Sequence, residues 1–165
     1  MTLRVRDIAD ADTPSILALN LESEAVLSPM DATRYAHLRA QSARGRVLDE
    51  DGGVVAFLLA FRERADYDSP NYRWFDARFD TFLYVDRVVV AASHQGRGLG
   101  AMLYEDLFAH ARADGIARIT CEFDIEPPNE ASRRFHARFG FREAGTQALA
   151  GGKRVSLQVA DVSSS

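Results

Sequence analysis

Val88-Val89-Val90-Ala91-Ala92-Ser93-His94-Gln95-Gly96-Arg97-Gly98-Leu99-Gly100-Ala101 is the stretch that decides how the rest of the chain reads. A β-branched run stops, a short polar turn follows, and glycines at alternate positions lead into an apolar-periodic segment. Glycine lets the main chain turn tightly and present consecutive N–H groups, and a helix that begins there adds the positive end of its dipole. That chemistry suits an anion, with a diphosphate as the natural guest. Glycines also punctuate ordinary loops, so the same residues alone can be read as a ligand-free turn from strand to helix. Gly96-x-Gly98-x-x-Ala101 formally fits a dinucleotide fingerprint as well. In that fold the strand runs almost directly into the first glycine, whereas here Ala91 to Gln95 intervene and several elements come before.

Working outward, Phe82 to Val90 is the longest strand candidate and is expected at the centre of a sheet. Leu99, Met102, Leu103, Leu107 and Phe108 recur at helical spacing to about Ala113, where Gly115 stops the helix. Ile116 to Ile125 reads as a strand ended by Pro127-Pro128. Asn129 is a plausible cap for a helix to Phe139, and Phe141 to Thr146 and Arg154 to Val159 read as strands around Gly151-Gly152. Upstream, Leu3, Val5 and Ile8 suggest a first strand, and Asp12 or Thr13 with Pro14 opens a helix whose apolar face is Ile16, Leu17, Leu19 and Leu21. A second helix follows from about Asp31 to Ser42. Val47-Leu48 and Val54 to Phe61 are strands joined at Asp51-Gly52-Gly53. The segment from Arg62 to Asp80 carries Tyr67, Tyr72, Trp74, Phe75 and Phe79, which is too aromatic for a plain connection. It reads equally as a flap on the chain's own sheet or as a lid over a substrate.

The chain has 165 residues, which suits one domain over 1–165 with a sizeable core. A net charge of −4 argues against a general nucleic-acid binder. The single cysteine, Cys121, cannot form an internal disulfide, no apolar run is long enough to span a membrane, and no signal-peptide pattern opens the chain. These point to a cytoplasmic protein. The serine tail, Ser163 to Ser165, is expected to fray.

Gln95, Gly98 and Gly100 occupy the fixed positions of Gln/Arg-x-x-Gly-x-Gly/Ala, the acyl-CoA signature of the GNAT acetyltransferase superfamily, which this stretch resembles. A second stretch, Asn129-Glu130-Ala131-Ser132-Arg133-Arg134-Phe135-His136-Ala137-Arg138-Phe139-Gly140-Phe141, is similar to that family's Asn-x-x-Ala/Ser helix ending in Gly-Phe. The resemblance covers Thr81 to Thr146 and, elsewhere, the order of elements. It implies an α/β fold: a mixed, largely antiparallel central sheet flanked by helices on both faces. The implied activity is transfer of acetyl from acetyl-CoA to a primary amine of a small molecule or peptide, with a non-catalytic acyl-CoA-binding domain as the alternative. It calls for no metal, nucleic acid or membrane, and it admits a homodimer.

The resemblance also implies site residues. Acetyl-CoA would lay its diphosphate on the amides of Gln95, Gly96, Arg97, Gly98, Leu99, Gly100 and Ala101, near Asn129, with Arg97 and Arg138 as candidate phosphate or nucleotide contacts. Its pantetheine arm would run along the main chain of Val88 and Val90, as an added strand would. The Val88 N–H would face the negative charge that develops on the thioester carbonyl. A carboxylate usually accepts the amine's proton. Asp86 is favoured, with Tyr84, Glu122, Glu22 and Glu24 as further candidates; the ordinary explanation of Asp86 is an ion pair with Arg118 or near Arg87. His136 stands where the family commonly has a tyrosine as general acid near the CoA sulfur, and it is the expected proton donor.

Overall fold

The computed structural model describes residues 2–24 and 27–163, so the last two serines of the expected frayed tail lie outside the described residues. Strands β1 (Leu3–Asp7), β2 (Arg44–Glu50), β3 (Gly53–Arg62), β4 (Leu83–Val90), β5 (Arg118–Glu126), β6 (Arg142–Ala148) and β7 (Arg154–Asp161) form one sheet in the order β1-β2-β3-β4-β5-β7-β6. The neighbours β4 and β5 run parallel, and the other pairs are antiparallel. A parallel pair needs a long crossover, which α4 (Leu99–Ala113) supplies. The mixed sheet is therefore as expected. β4 is fourth of seven in sheet order, but β3, at ten residues, is the longer strand.

β3 is apolar almost throughout because helices cover both faces of the sheet. Phe57, Leu59 and Phe61 pack on the side of α1 (Thr13–Glu22), α2 (Ala32–Gln41) and α3 (Pro70–Asp76). Ala56, Leu58 and Ala60 pack on the side of α4 and α5 (Glu130–Arg138). The starts of α2 and α5 carry side-chain caps and α1 carries an early proline. The Asp31 side chain accepts from Arg34 N at 2.7 Å, Pro14 sits in the first turn of α1, and the Asn129 side chain accepts from Ser132 N at 3.1 Å. The apolar face of α1 differs from the expected one. Leu21 is 66% exposed, while Asn20 is fully buried and bonded to Arg87.

The aromatic segment between β3 and β4 folds chiefly as core. Ser69 caps α3 and Pro70 opens it. Tyr72 and Phe75 are buried, and Tyr67 stacks on Phe61 with ring centroids 4.7 Å apart. The Tyr72 hydroxyl donates to Arg62 O and accepts from Ala65 N at 2.9 Å, fixing the exit of β3. Trp74 lies across the sheet's far edge, where a Cβ on Gly145 would come 2.6 Å from its ring, so only glycine fits beneath it.

The feature that positions the site is a split in the middle of the sheet. The described β4–β5 pairs are Leu83↔Ile119 and Tyr84↔Thr120, after which the strands part. On its other edge β4 pairs Val85 with Ala60 and Arg87 with Leu59, leaving Asp86 as an extra residue. Such a bulge bends and twists its strand, which carries the C-terminal half of β4 away from β5.

Candidate active site

At the end of β4 the Ala91 N–H donates to Val55 O at 2.8 Å. Backbone amides alternate in direction along a strand, so Val89 shares that direction. Val88 and Val90 turn theirs to the side that β5 has left. The chain then makes a short turn, Ala92–His94, and reaches Gly96 and Gly98 at φ +81 and +77. Both values lie in the left-handed region that favours glycine. A Cβ at either position would meet nothing within 4 Å, so the loop faces open space. Gly98 is the N-cap of α4, and the first-turn amides from Leu99 to Ala101 have no partner within the helix. A Cβ on Gly100, by contrast, would lie 3.6 Å from the Phe135 ring.

The side chains around this loop hold it in place. Glu50, at the end of β2, bonds His94 Nε2 and Arg97 Nη2, each at 2.9 Å, and these partners keep its carboxyl below the usual range. Arg97 thus has an acidic partner in the fold itself. The Gln95 side chain reaches back to Val90 O at 3.5 Å. Arg138 lies over the Phe135 ring and lines a separate recess between α4 and α5, with Glu105, Phe108, Arg112 and Phe139.

Beside the loop, the split opens into a polar cavity of about 310 Å³ whose walls include Asp86, Arg87, Val88, Tyr104, Glu122 and His136. Asn129 also lines it. Asp86 pairs with Arg87 itself, Nε to Oδ2 at 2.8 Å, because the bulge brings neighbouring residues onto one side. It also accepts from the Tyr67 hydroxyl. Arg118 is not its partner; it donates to Thr81 O at 2.7 Å. Both Asp86 oxygens are therefore engaged, which suits a residue that holds its neighbours more than one that accepts a new proton.

Glu122 on β5 is the carboxyl with a different environment. Desolvation pushes its pKa up to about 8, against the opposing effect of the Tyr84 hydroxyl that donates to it. Glu22 lies outside the cavity and accepts from Ala92 N at 3.2 Å, and Glu24 is exposed and does not line it. Cys121 lines the wall, but burial pushes its thiol up, so it is a poor nucleophile.

The geometry at His136 departs from the expected proton donor. Its Nδ1 lies 2.7 Å from the Ser132 carbonyl, which can only accept, so that nitrogen carries the proton. Nε2 then accepts from the Tyr104 hydroxyl at 2.8 Å. Burial lowers the His136 pKa and favours this neutral ring. A histidine buried neutral binds fewer protons folded than unfolded, so it contributes stability above pH ~6.5 that is lost as pH falls below it. His136→Phe should accordingly be less stable at pH 8, where Tyr104 loses its acceptor, yet lose less stability than the wild type between pH 6.5 and 5. Thermal melts of the two proteins across that range measure the difference.

Sequence reasoning missed Tyr104, which sits among leucines at helical spacing. A hydroxyl on that apolar face was the available signal, since a buried phenol needs a partner. Tyr67 and the Lys153–Asp124 pair (3.4 Å) gave no motif, and Ser132 was read only as the Ala/Ser place of the second motif, not as the partner of His136. Among the described residues no group of three or more His, Cys, Asp or Glu is placed to hold a metal ion, and no helix is long and apolar enough to cross a membrane.

Residues 5–141 match the model of the acetyltransferase (GNAT) family. A phosphinothricin N-acetyltransferase of Streptomyces coelicolor is 47% identical over 66 residues, 40% of this chain and 37% of that relative. The match thus spans little more than a third of that protein. An L-methionine sulfoximine/L-methionine sulfone acetyltransferase of Pseudomonas paraeruginosa is 29% identical over 160 residues, 93% of this chain and 88% of the relative. Among solved structures, yncA of Salmonella typhimurium with its cofactor acetyl-CoA superposes with a TM-score of 0.75 at 19% identity, covering 99% of this chain and 95% of that one.

Proposed function

The chain belongs to the acetyltransferase (GNAT) family, and from that premise we propose that residues 1–165 act as one unit moving acetyl from acetyl-CoA to the primary amine of a small amino acid or a close analogue. The observation that carries this reading is the pair of amides at Val88 and Val90, turned into the split beside a left-handed glycine loop at a helix N-terminus. That surface offers an extended, amide-bearing ligand an unused strand edge and a diphosphate an anion cradle. The empty space above Gly96 and Gly98 supports the fit.

In this reading the amides of Gln95 to Ala101 hold the diphosphate, with Asn129 at the same end of the cavity and Arg97 exchanging Glu50 for a phosphate contact. Arg138 is assigned the nucleotide end, beyond the cavity. The Val88 N–H stabilises negative charge on the acyl carbonyl. Acetyl-CoA, when bound, supplies the acetyl group in activated thioester form. Glu122, with a pKa near working pH, takes the proton of the attacking amine. Asp86 positions Arg87 and Tyr67. His136 stays neutral and accepts the single Tyr104 O–H, which fixes both side chains in the cavity wall.

The acceptor class draws on the relatives, whose names give phosphinothricin, L-methionine sulfoximine and L-methionine sulfone as what those proteins acetylate. A thiol-release assay with acetyl-CoA and a panel of these compounds, simple amines and short peptides tests the proposal. Turnover is expected with the small amino acids. Acetyl-CoA binding without thiol release across the panel would instead indicate a non-catalytic acyl-CoA-binding protein.

A further inference from the structure

We propose that Arg87 reads an anionic group on the acceptor, and that it is the residue restricting acceptors to amines that also carry a carboxylate. The inference rests on the acetyltransferase reading of the cavity and deepens it.

Arg87 lines the cavity, yet it is only 6% exposed. It is gripped by groups from separate parts of the chain. Nε donates to Asp86 Oδ2 on β4 at 2.8 Å, and Nη1 donates to Asn20 Oδ1 on α1 at 2.9 Å. Nη1 also reaches Ser28 O, in the loop after α1, at 3.3 Å. Asn20 is itself fully buried and donates to the same Ser28 carbonyl at 3.3 Å, so the holder is fixed in turn. The Tyr67 hydroxyl, which donates to Asp86, also lies against the guanidinium as a side-chain partner.

A guanidinium keeps its charge at any working pH, and its planar fork matches a carboxylate. Burying a charge pair is costly, and well-packed apolar residues often replace such a pair without loss. A buried Arg–Asp pair that serves only as glue is therefore a poor use of a strand centre. At the wall of an acceptor cavity it has a use: Asp86 holds Nε, Asn20 holds Nη1, and Nη2, beside the Tyr67 hydroxyl, is the donor that remains for a ligand oxygen. An amino acid brings its own ammonium, so adding its carboxylate to the Asp86–Arg87 pair leaves the cluster charge-balanced. Glu122 on β5 lines the same cavity and is the amine's partner there. Lys153 is the rival reader. Its side chain is 43% exposed and pairs with Asp124 at 3.4 Å, so its charge is screened by water and loosely placed.

The test compares L-methionine sulfone with 3-(methylsulfonyl)propan-1-amine, the same amine without the carboxylate. A site built to bond a charged group rejects the analogue lacking it, so the wild type should favour the amino acid by at least ~10-fold in kcat/KM. Arg87→Met made together with Asp86→Asn, which avoids an unpaired buried carboxylate, should shrink that ratio to ~2 or less. Arg87→Lys, a milder change, should lower the ratio at least ~3-fold because a point charge cannot keep both grips and the ligand. Lys153→Met should leave the ratio as it is. Equal use of both amines by the wild type would overturn the inference while leaving the acetyltransferase reading standing. So would an undiminished ratio in Arg87→Lys or in the double variant, or a ratio that collapses in Lys153→Met. Turnover of neither amine nor any other acceptor would fail the acetyltransferase reading, and this inference with it.

Discussion

Glu122→Gln is expected to lose on the order of 10³-fold in kcat/KM, the middle of the range for removing a general base. Glutamine keeps an oxygen for the Tyr84 hydroxyl, so packing around the split survives while the proton acceptor is lost. The pH profile gives the sharper signature. A carboxyl pushed up to about 8 must be ionised to act, so kcat/KM should climb through neutral pH and level off above that value. Any limb contributed by the acceptor amine is common to both enzymes, so the limb missing in Glu122→Gln isolates this carboxyl. Tyr84→Phe provides the sign. The Tyr84 hydroxyl lowers the Glu122 pKa, so removing it should move the limb to higher pH. A Glu122→Gln enzyme with wild-type kcat/KM would remove Glu122 from the reaction.

The second large effect is expected at Gly98. Its φ of +77 strains most side chains, so a single substitution would mix backbone strain with loss of the anion cradle. Asp and Asn both tolerate the left-handed region and have nearly the same shape, so their comparison leaves charge as the difference. Gly98→Asn should remain folded and bind acetyl-CoA with moderately reduced affinity. Gly98→Asp should bind at least ~10-fold more weakly than Gly98→Asn, a difference of ~1.4 kcal/mol, because a carboxylate then faces the diphosphate. Raising the salt concentration should narrow the gap. Equal calorimetric affinities for the two variants would take the diphosphate off this loop.

Those two residues also mark what the sequence does and does not reveal. The loop from Gln95 to Ala101 is legible because its chemistry is local: glycine at φ > 0, unpaired first-turn amides and an incoming strand are all encoded within a dozen residues. The same holds for the caps at Asp31 and Asn129, which work over three residues. The cavity wall is not local. Glu122 and Asp86 look alike as acidic residues in apolar strands. What separates them is the bulge that pairs Asp86 with its own neighbour and the desolvation that leaves Glu122 protonated near neutrality. Neither follows from spacing along one strand. Tyr104 and Asn20 were hidden for a related reason. Each sits on a helix face read by its leucines, and its polar atom has a use only because His136 or Arg87 arrives from an element far along the chain. The segment from Arg62 to Asp80 combines both cases. The Ser69 cap and Pro70 are local signals for α3. Whether its rings formed a core or a lid depended on how closely they met Phe61, Phe82 and Tyr84.

The central claim is that the opened edge of β4 and the glycine loop together form the acetyl-CoA site. Backbone amide resonances followed by ¹H–¹⁵N correlation spectra during an acetyl-CoA titration test it most directly, because the groups in question are main-chain N–H donors. The amides of Val88, Val90 and Gln95 to Ala101 are expected to shift together and saturate at one affinity, with those of α2, on the other face of the sheet, unchanged. Saturable binding that leaves Val88, Val90 and the glycine loop unmoved, or that shifts α2 instead, would contradict the account.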